Sequence, residues 1–263
     1  MNETIDIGWL RLLWVYAMLV IPAAALYLYN RDLLKPLFVG TLRMTAQLAL
    51  VGFFLRYLFA ANHPILTGLW ILVMIGTANT SIVAGAKVKI PGFFFTTLLG
   101  TAAGTLPVAA VFIFLAVHPS PIWDARYLIP VTGMIIGNSL RGNMISIERF
   151  FAGVAGGQKL YQSGLTLGAT PREAAKPFMK TAFTAALSPN LATMATMGLV
   201  SLPGMMTGQM LGGSDPAIAI KYQIAIMIAI ITSAGLSAAV NIEVCLRLGF
   251  DGMGLLKDGV VKD

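Results

Sequence analysis

Windows of about twenty predominantly apolar residues follow one another along the chain, near 8–28, 37–59, 65–86, 93–117, 125–147, 182–202 and 217–246. Each is the length a helix needs to cross a hydrocarbon core of about 30 Å. The pattern predicts an all-α, polytopic membrane protein with about seven transmembrane helices, organised as a single transmembrane domain over residues 1–263. All connections are short except the polar stretch at 148–180, which is too long for a tight turn. The first window follows Asn2, Glu3 and Asp6 rather than a basic run, and no small-residue cleavage site comes after it, so it reads as a retained anchor. No Gly/Ser linker, low-complexity tract or internal repeat interrupts the series.

Composition agrees: 57% of the 263 residues are hydrophobic and 11% charged, with a formal net charge of +7. A soluble domain carries roughly a quarter of its residues as charges, so the solvent is lipid. The basic residues fall mostly between windows, which removes the nucleic-acid reading of the net charge. Twelve of the 18 Lys and Arg lie on one side, in the second, fourth and sixth windows' leading connections and in the tail: Arg31, Lys35, Lys87, Lys89, Arg149, Lys159, Arg172, Lys176, Lys180, Arg247, Lys257 and Lys262. The positive-inside rule then places the N-terminus outside, the C-terminus in the cytoplasm and the 148–180 loop in the cytoplasm of a cell whose inner (plasma) membrane holds the chain. The single cysteine, Cys245, offers neither a disulfide framework nor a metal motif and reads as a packing residue.

Inside the cytoplasmic loop, Thr170 stands as N-cap, Pro171 at the first helical position and Glu173 three residues after the cap. Together these make a capping box with an N1 proline. They predict a short amphipathic helix over about 171–180, with Ala174, Ala175, Phe178 and Ala182 on one side and Arg172, Lys176 and Lys180 on another. Amphipathicity alone is equally met by a helix resting on anionic headgroups.

The turn Gly168-Ala169-Thr170-Pro171 resembles the one that opens the coupling helix of ABC-importer permeases, although Gln162-Ser163-Gly164 replaces the Glu-Ala-Ala of many importers. More widely the chain resembles the FetB-type permeases, the family of the bacterial iron-export permease and of plant aluminium-tolerance proteins. Gly137-Asn138-Ser139, Leu165 to Pro171, Gly198 to Gln209 and Lys221-Tyr222-Gln223 carry the resemblance, with Arg43, Gln47 and Gly52 in the first half. The resemblance implies the permease subunit of an ABC transporter that exports metal ions, iron by analogy, as a homodimer. Its coupling helix, at Gly168, Ala169, Thr170, Pro171, Arg172 and Glu173, would dock a separate cytoplasmic ATPase.

The chain has no Gly-x-x-x-x-Gly-Lys-Ser/Thr run, so it is not expected to be an enzyme in its own right or to hold a cofactor; ATP and Mg²⁺ would sit on the partner. All 11 acidic residues fall in loops, tails or near window ends, unlike the mid-membrane carboxylates of ion-coupled carriers. An ATP-independent carrier or channel, and a scaffold without transport, are the competing readings.

Asn138, Arg141 and Asn143 in the fifth window, and Arg43 and Gln47 in the second, are costly in lipid and are expected to face protein or a cavity, unless the arginines snorkel to the inner surface. Glu148 and Glu243 could pair with those arginines or form an inner mouth for cations. The stretch Pro203 to Met210 should break a helix near the outer face, making a re-entrant segment at 203–216 conceivable; Met205, Met206, Gln209 and Met210 are the candidates there for a substrate pathway with Asn138 and Arg141. Met194, Met197, Met205, Met206 and Met210 fit plain packing or soft-ion contact; the metal ligands are left open. Gly-x-x-x-Gly pairs at Gly100/Gly104, Gly133/Gly137, Gly204/Gly208 and Gly208/Gly212 suit close helix packing, and His63 and His118 read as outer-loop residues.

Overall fold

The computed structural model describes residues 7–86, 88, 92–200, 202–252 and 254–257; Glu3, Asp6, Lys87, Lys89, Ser201, Asp258, Lys262 and Asp263 lie outside them. Among the described residues the structure is helical, with no β-strand. The helices are α1 (Trp9–Ala17), α2 (Val20–Tyr29), α3 (Leu34–Ala61), α4 (Pro64–Gly85), α5 (Phe93–Val111), α6 (Ala125–Gly156), α7 (Gln158–Thr166), α8 (Pro171–Thr196), α9 (Gly204–Leu211) and α10 (Pro216–Leu248). Five helical stretches are both long and apolar enough to cross a membrane: Trp9–Tyr29, Arg31–Ala61, Pro64–Gly85, Phe93–Val117 and Pro216–Leu248. The expected spans at 125–147 and 182–202 fall on α6 and α8, which have the length but a more polar composition. Arg141, Glu148 and Arg149 lie within α6, and Arg172, Glu173, Lys176 and Lys180 within α8.

Local sequence explains the joints. Pro22 has no N–H for the carbonyl of Met18, so the first apolar stretch is split at Met18–Leu19 into α1 and α2. Asn62 ends α3 in the left-handed region at φ 40°, and its Oδ1 accepts a hydrogen bond from the backbone N–H of Ala125 at 3.0 Å, tying the α3–α4 turn to the start of α6. Downstream of Pro107, α5 widens into a π-helical stretch, Phe112–Val117, and stops at His118. Asp124 and Asp215 cap α6 and α10, each accepting from a backbone N–H two residues on.

The predicted short helix at about 171–180 is not separate. The capping box forms as expected, but no glycine or proline follows Lys180 directly, and α8 accommodates Pro177 and Pro189 and continues to Thr196. Likewise α6 runs on to Gly156, so the 148–180 loop shrinks to α7 and the turn at 167–170. At the far end, α8 stops at Thr196 rather than 202, because Met197 turns extended and Gly198 takes φ +88°, a conformation suited to glycine.

The interior is formed by α4, α5, α6, α8 and α10, with α10 packed against α5, α6 and α8 and α6 also against α4. The inner-end cluster gathers Ile82, Phe93, Ile147, Phe150, Phe151, Val154, Tyr161, Ala175, Ile242, Cys245 and Phe250. Cys245 is therefore a buried free thiol in packing, as expected. A second cluster toward the outer end joins Val108, Phe112, Ile113, Val131, Ile135, Ile226 and Ile230. By contrast, α1 to α3 leave most of their apolar side chains uncovered; α3 reaches the rest through Leu55, Leu58 and Phe59 near its outer end and through Phe54 stacked on Trp70. Of the four glycine pairs, Gly100/Gly104 is a packing surface: a Cβ on Gly104 would stand 2.5 Å from Ser237 Cβ and 2.6 Å from its backbone nitrogen. Gly137, Gly204 and Gly208 face open space, so the other three pairs are not closed contacts within the chain.

Candidate functional site

Two places concentrate polar chemistry on this scaffold. The first lies midway along α6. Arg141 sits sixteen residues after the helix start, roughly 24 Å along it by the α-helical rise. With Asn138, one turn away, it lines a cavity of about 160 Å³ whose other wall is α8: Ala186, Pro189, Asn190 and Thr193. The helices come close at Gly142, where a Cβ would meet the carbonyl oxygen of Ala186 at 2.9 Å. Asn138 Nδ2 donates to the carbonyl of Met134 at 2.8 Å and Thr193 Oγ1 to that of Pro189 at 2.9 Å. Their oxygens are left as acceptors, beside the guanidinium of Arg141 as donor.

On its opposite face, at similar height, α6 is polar and fully buried. Ser139 Oγ donates to Ser233 Oγ at 3.2 Å, and Ser237 Oγ reaches Asn143 Oδ1 at 2.9 Å. Thr101, Thr105 and Asn241 join this seam between α5, α6 and α10, and Thr101 Oγ1, Asn143 Nδ2 and both amide atoms of Asn241 have no hydrogen-bond partner. Asn143 is therefore buried in protein, whereas Asn138 and Arg141 are exposed at the edge of the cleft. Arg43 and Gln47 are exposed on α3.

The second place is the end of the bundle that holds α7 and the start of α8. Gly168 takes φ +90°, the turn conformation a side chain would strain, and delivers the chain to Thr170. The Thr170 backbone N–H and hydroxyl both donate to Glu173 Oε2 at 2.8 Å, while Thr170 Oγ1 accepts from the Glu173 N–H at 3.3 Å. These bonds, with Lys176 nearby, hold the Glu173 carboxyl below the usual carboxylate range. Arg172 bridges to Glu243 of α10 at 3.1 Å, and Arg247 approaches the same oxygen at 3.4 Å. Glu243 therefore pairs with these exposed cations and not with Arg43 or Arg141, because it sits a turn from the end of α10, opposite the start of α8. Arg172, Lys176, Met179, Lys180, Phe183, Ala239 and Glu243 border an open cleft of about 540 Å³.

Sequence reading missed what secures this turn. Tyr161 of α7, 1% exposed, donates its hydroxyl to the carbonyl of Gly254 at 2.7 Å, and Phe250 packs on its ring at 5.3 Å between centroids. Gly254 in turn lies against Pro171 and Leu165. Burial first, and the nearby charge of Asp251 second, push the Tyr161 phenol above its ordinary pKa. A conspicuous tyrosine in a polar helix was the available signal, but its partner is 93 residues away. Asn190 and Thr193 were missed too, having nothing local to mark them.

The remaining candidates are elsewhere. Met205, Met206, Gln209 and Met210 lie on α9, a helix of eight residues begun by Pro203, and none of them lines the Asn138–Arg141 cleft. Met205 and Met197 pack on the outer cluster, and Met197 sulfur receives a hydrogen bond from Gln223 Nε2 at 3.7 Å. His63 precedes α4 and His118 follows the π-helical stretch, as expected of loop residues. Among the described residues no group of three His, Cys, Asp or Glu side chains could hold a metal ion.

Comparison with known proteins accords with this architecture of apolar helices. The chain is 32% identical over 206 residues to the UPF0014 membrane protein YjkA of Bacillus subtilis, covering 78% of this chain and 81% of that one. It is 31% identical over 238 residues to the protein ALUMINUM SENSITIVE 3 of Arabidopsis thaliana, covering 86% and 85%. To the probable iron export permease protein FetB of Escherichia coli it is 31% identical over 198 residues, covering 75% of each chain. No solved structure matches. Residues 9–250 match the uncharacterised protein family UPF0014, and the chain, with its apolar helices, is a membrane protein belonging to that family.

Proposed function

We propose that this membrane protein is the permease subunit of an ATP-driven metal exporter, with iron as the cargo, and that it works as a homodimer with a separate cytoplasmic ATPase. One observation carries the reading: the turn Gly168–Glu173 is a stiff, capped element at the inner end, and Arg172 links it to α10 through Glu243 at 3.1 Å. A load applied to that turn by a partner reaches α8 directly and α10 through the bridge. ATP closure of two partner subunits would then rock the helices between inward and outward access. The docking element on this reading comprises α7, the turn and the first residues of α8, and ATP with Mg²⁺ stays on the partner.

In this arrangement α6 and α8 also cross the membrane, giving seven spans with the N-terminus outside and the C-terminus in the cytoplasm of the plasma membrane. Their polar content then faces a pathway, with Asn138, Arg141, Asn190 and Thr193 lining its middle. The relative named as a probable iron export permease supports the cargo.

The test is reconstitution in vesicles with the partner ATPase. Substituting Gly168→Val or Thr170→Ala should abolish permease-stimulated ATP hydrolysis while the chain still folds, its thermal midpoint lowered only by the local cost of the altered turn or lost cap. Metal movement driven by a proton gradient in vesicles free of any ATPase would overturn the proposal in favour of a secondary carrier.

A further inference from the structure

The cleft between α6 and α8 poses a chemical difficulty for a bare cation. Its one formal charge is the guanidinium of Arg141, which makes no ion pair among the described residues, and no carboxylate lines it. A divalent or trivalent ion placed there meets the repulsion of that guanidinium with no carboxylate to offset it. Among the described residues no group of three His, Cys, Asp or Glu side chains could hold a metal elsewhere, and the thioethers of Met197 and Met205 are built into packing.

What the cleft does provide is a donor set of another kind. Arg141 presents a planar fork suited to a carboxylate in two-point contact. Asn138 Nδ2 donates to one helix carbonyl and Thr193 Oγ1 to another, which leaves Asn138 Oδ1 and Thr193 Oγ1 as acceptors toward a ligand. Asn190 adds an amide that can both give and accept. An anionic oxygen beside a guanidinium, with hydroxyl groups beside acceptors, describes a hydroxycarboxylate. A volume of about 160 Å³ corresponds to roughly five waters of liquid, room for one acid-bearing arm of a small chelator.

We infer that the cleft binds the carboxylate end of a metal–hydroxycarboxylate complex, so that metal crosses as an oxygen-liganded anionic chelate and not as a free cation, with Arg141 as the residue that selects for it. This rests on the metal-permease reading above but not on the ATPase, and it is tested without one.

The full-length chain in detergent is dialysed against ferric citrate carrying labels on both iron and carbon, against citrate alone, and against aqueous ferrous ion. Iron and citrate should be retained together in a fixed ratio, citrate alone should compete, and aqueous ferrous ion should be retained at least tenfold less. Arg141→Gln should lose both labels by about tenfold or more, and Arg141→Lys, which keeps charge without the fork, should fall between. Thr193→Val, on the opposite wall, serves as a second variant should Arg141→Gln fail to fold, with a smaller loss expected. Iron retained without citrate, neither label retained, or unchanged binding in Arg141→Gln would overturn the inference. Loss of ATPase stimulation in the vesicle assay above, with dual-label binding intact, would instead count against the coupled-transport reading alone.

Discussion

At Thr170, one side chain and one backbone N–H close on a single carboxylate, and the start of α8 depends on those few atoms. Replacing Thr170 with Ala removes the cap and should cost about 1 kcal/mol, read as a lower midpoint in thermal unfolding, whereas Thr170→Ser should stay near the parent. The depressed Glu173 pKa gives the pH dependence its sign. The carboxylate's contribution is present above the ordinary glutamate value of about 4.3 and is lost as pH falls through the lower value it has in the fold. The hydrogen-exchange protection factors at the first turn of α8, with the intrinsic pH dependence of exchange divided out, should therefore fall in acid, and Glu173→Gln should flatten that response. Gly104 is the corresponding point of steric sensitivity. With Ser237 Cβ 2.5 Å from where a methyl would go, Gly104→Ala must push α5 from α10, an overpacking cost typically of about 1–3 kcal/mol that thermal unfolding in detergent would register.

Among elements, the contrast is between α8, whose start could be read locally, and the contacts around it, which could not. Thr170, Pro171 and Glu173 are neighbours in sequence, so their capping box was legible; where α8 would end was not, because Pro177 and Pro189 look like breakers and are tolerated inside it. The apolar windows of α3, α4, α5 and α10 were legible for the same local reason, since hydropathy is summed over adjacent residues. The cleft was half legible: Asn138 and Arg141 stand out in an apolar run, but Asn190 and Thr193 become its wall only through the pairing of α6 with α8. The fastening of α7 by the chain end is purely tertiary. Tyr161→Phe removes one buried hydroxyl and leaves the Gly254 carbonyl without its donor. That should weaken the fastening by about 1 kcal/mol, with limited proteolysis showing faster cleavage after Phe250 while the rest of the bundle keeps its protection.

At the scale of the molecule, α4, α5, α6, α8 and α10 share an interior, and α1 to α3 stand largely outside it. The interior is held by two apolar clusters and, between α5, α6 and α10, by a seam of hydroxyls and amides that is incompletely paired. Polar groups confined to a bundle interior favour one register of the helices over others that would strand more of them. Outside that interior, α1 to α3 join it near one end only, through Asn62, Leu58 and the Phe54–Trp70 stack. A bar fixed at one end sweeps its widest arc at the other. Spin labels at Ala61 and Asp124 should report a narrow spread of distances, while a pair at Lys35 and Arg149 should report a broad one. If so, the inner half of the bundle has a side window toward the bilayer that opens and shuts without any change in the helices that flank Arg141.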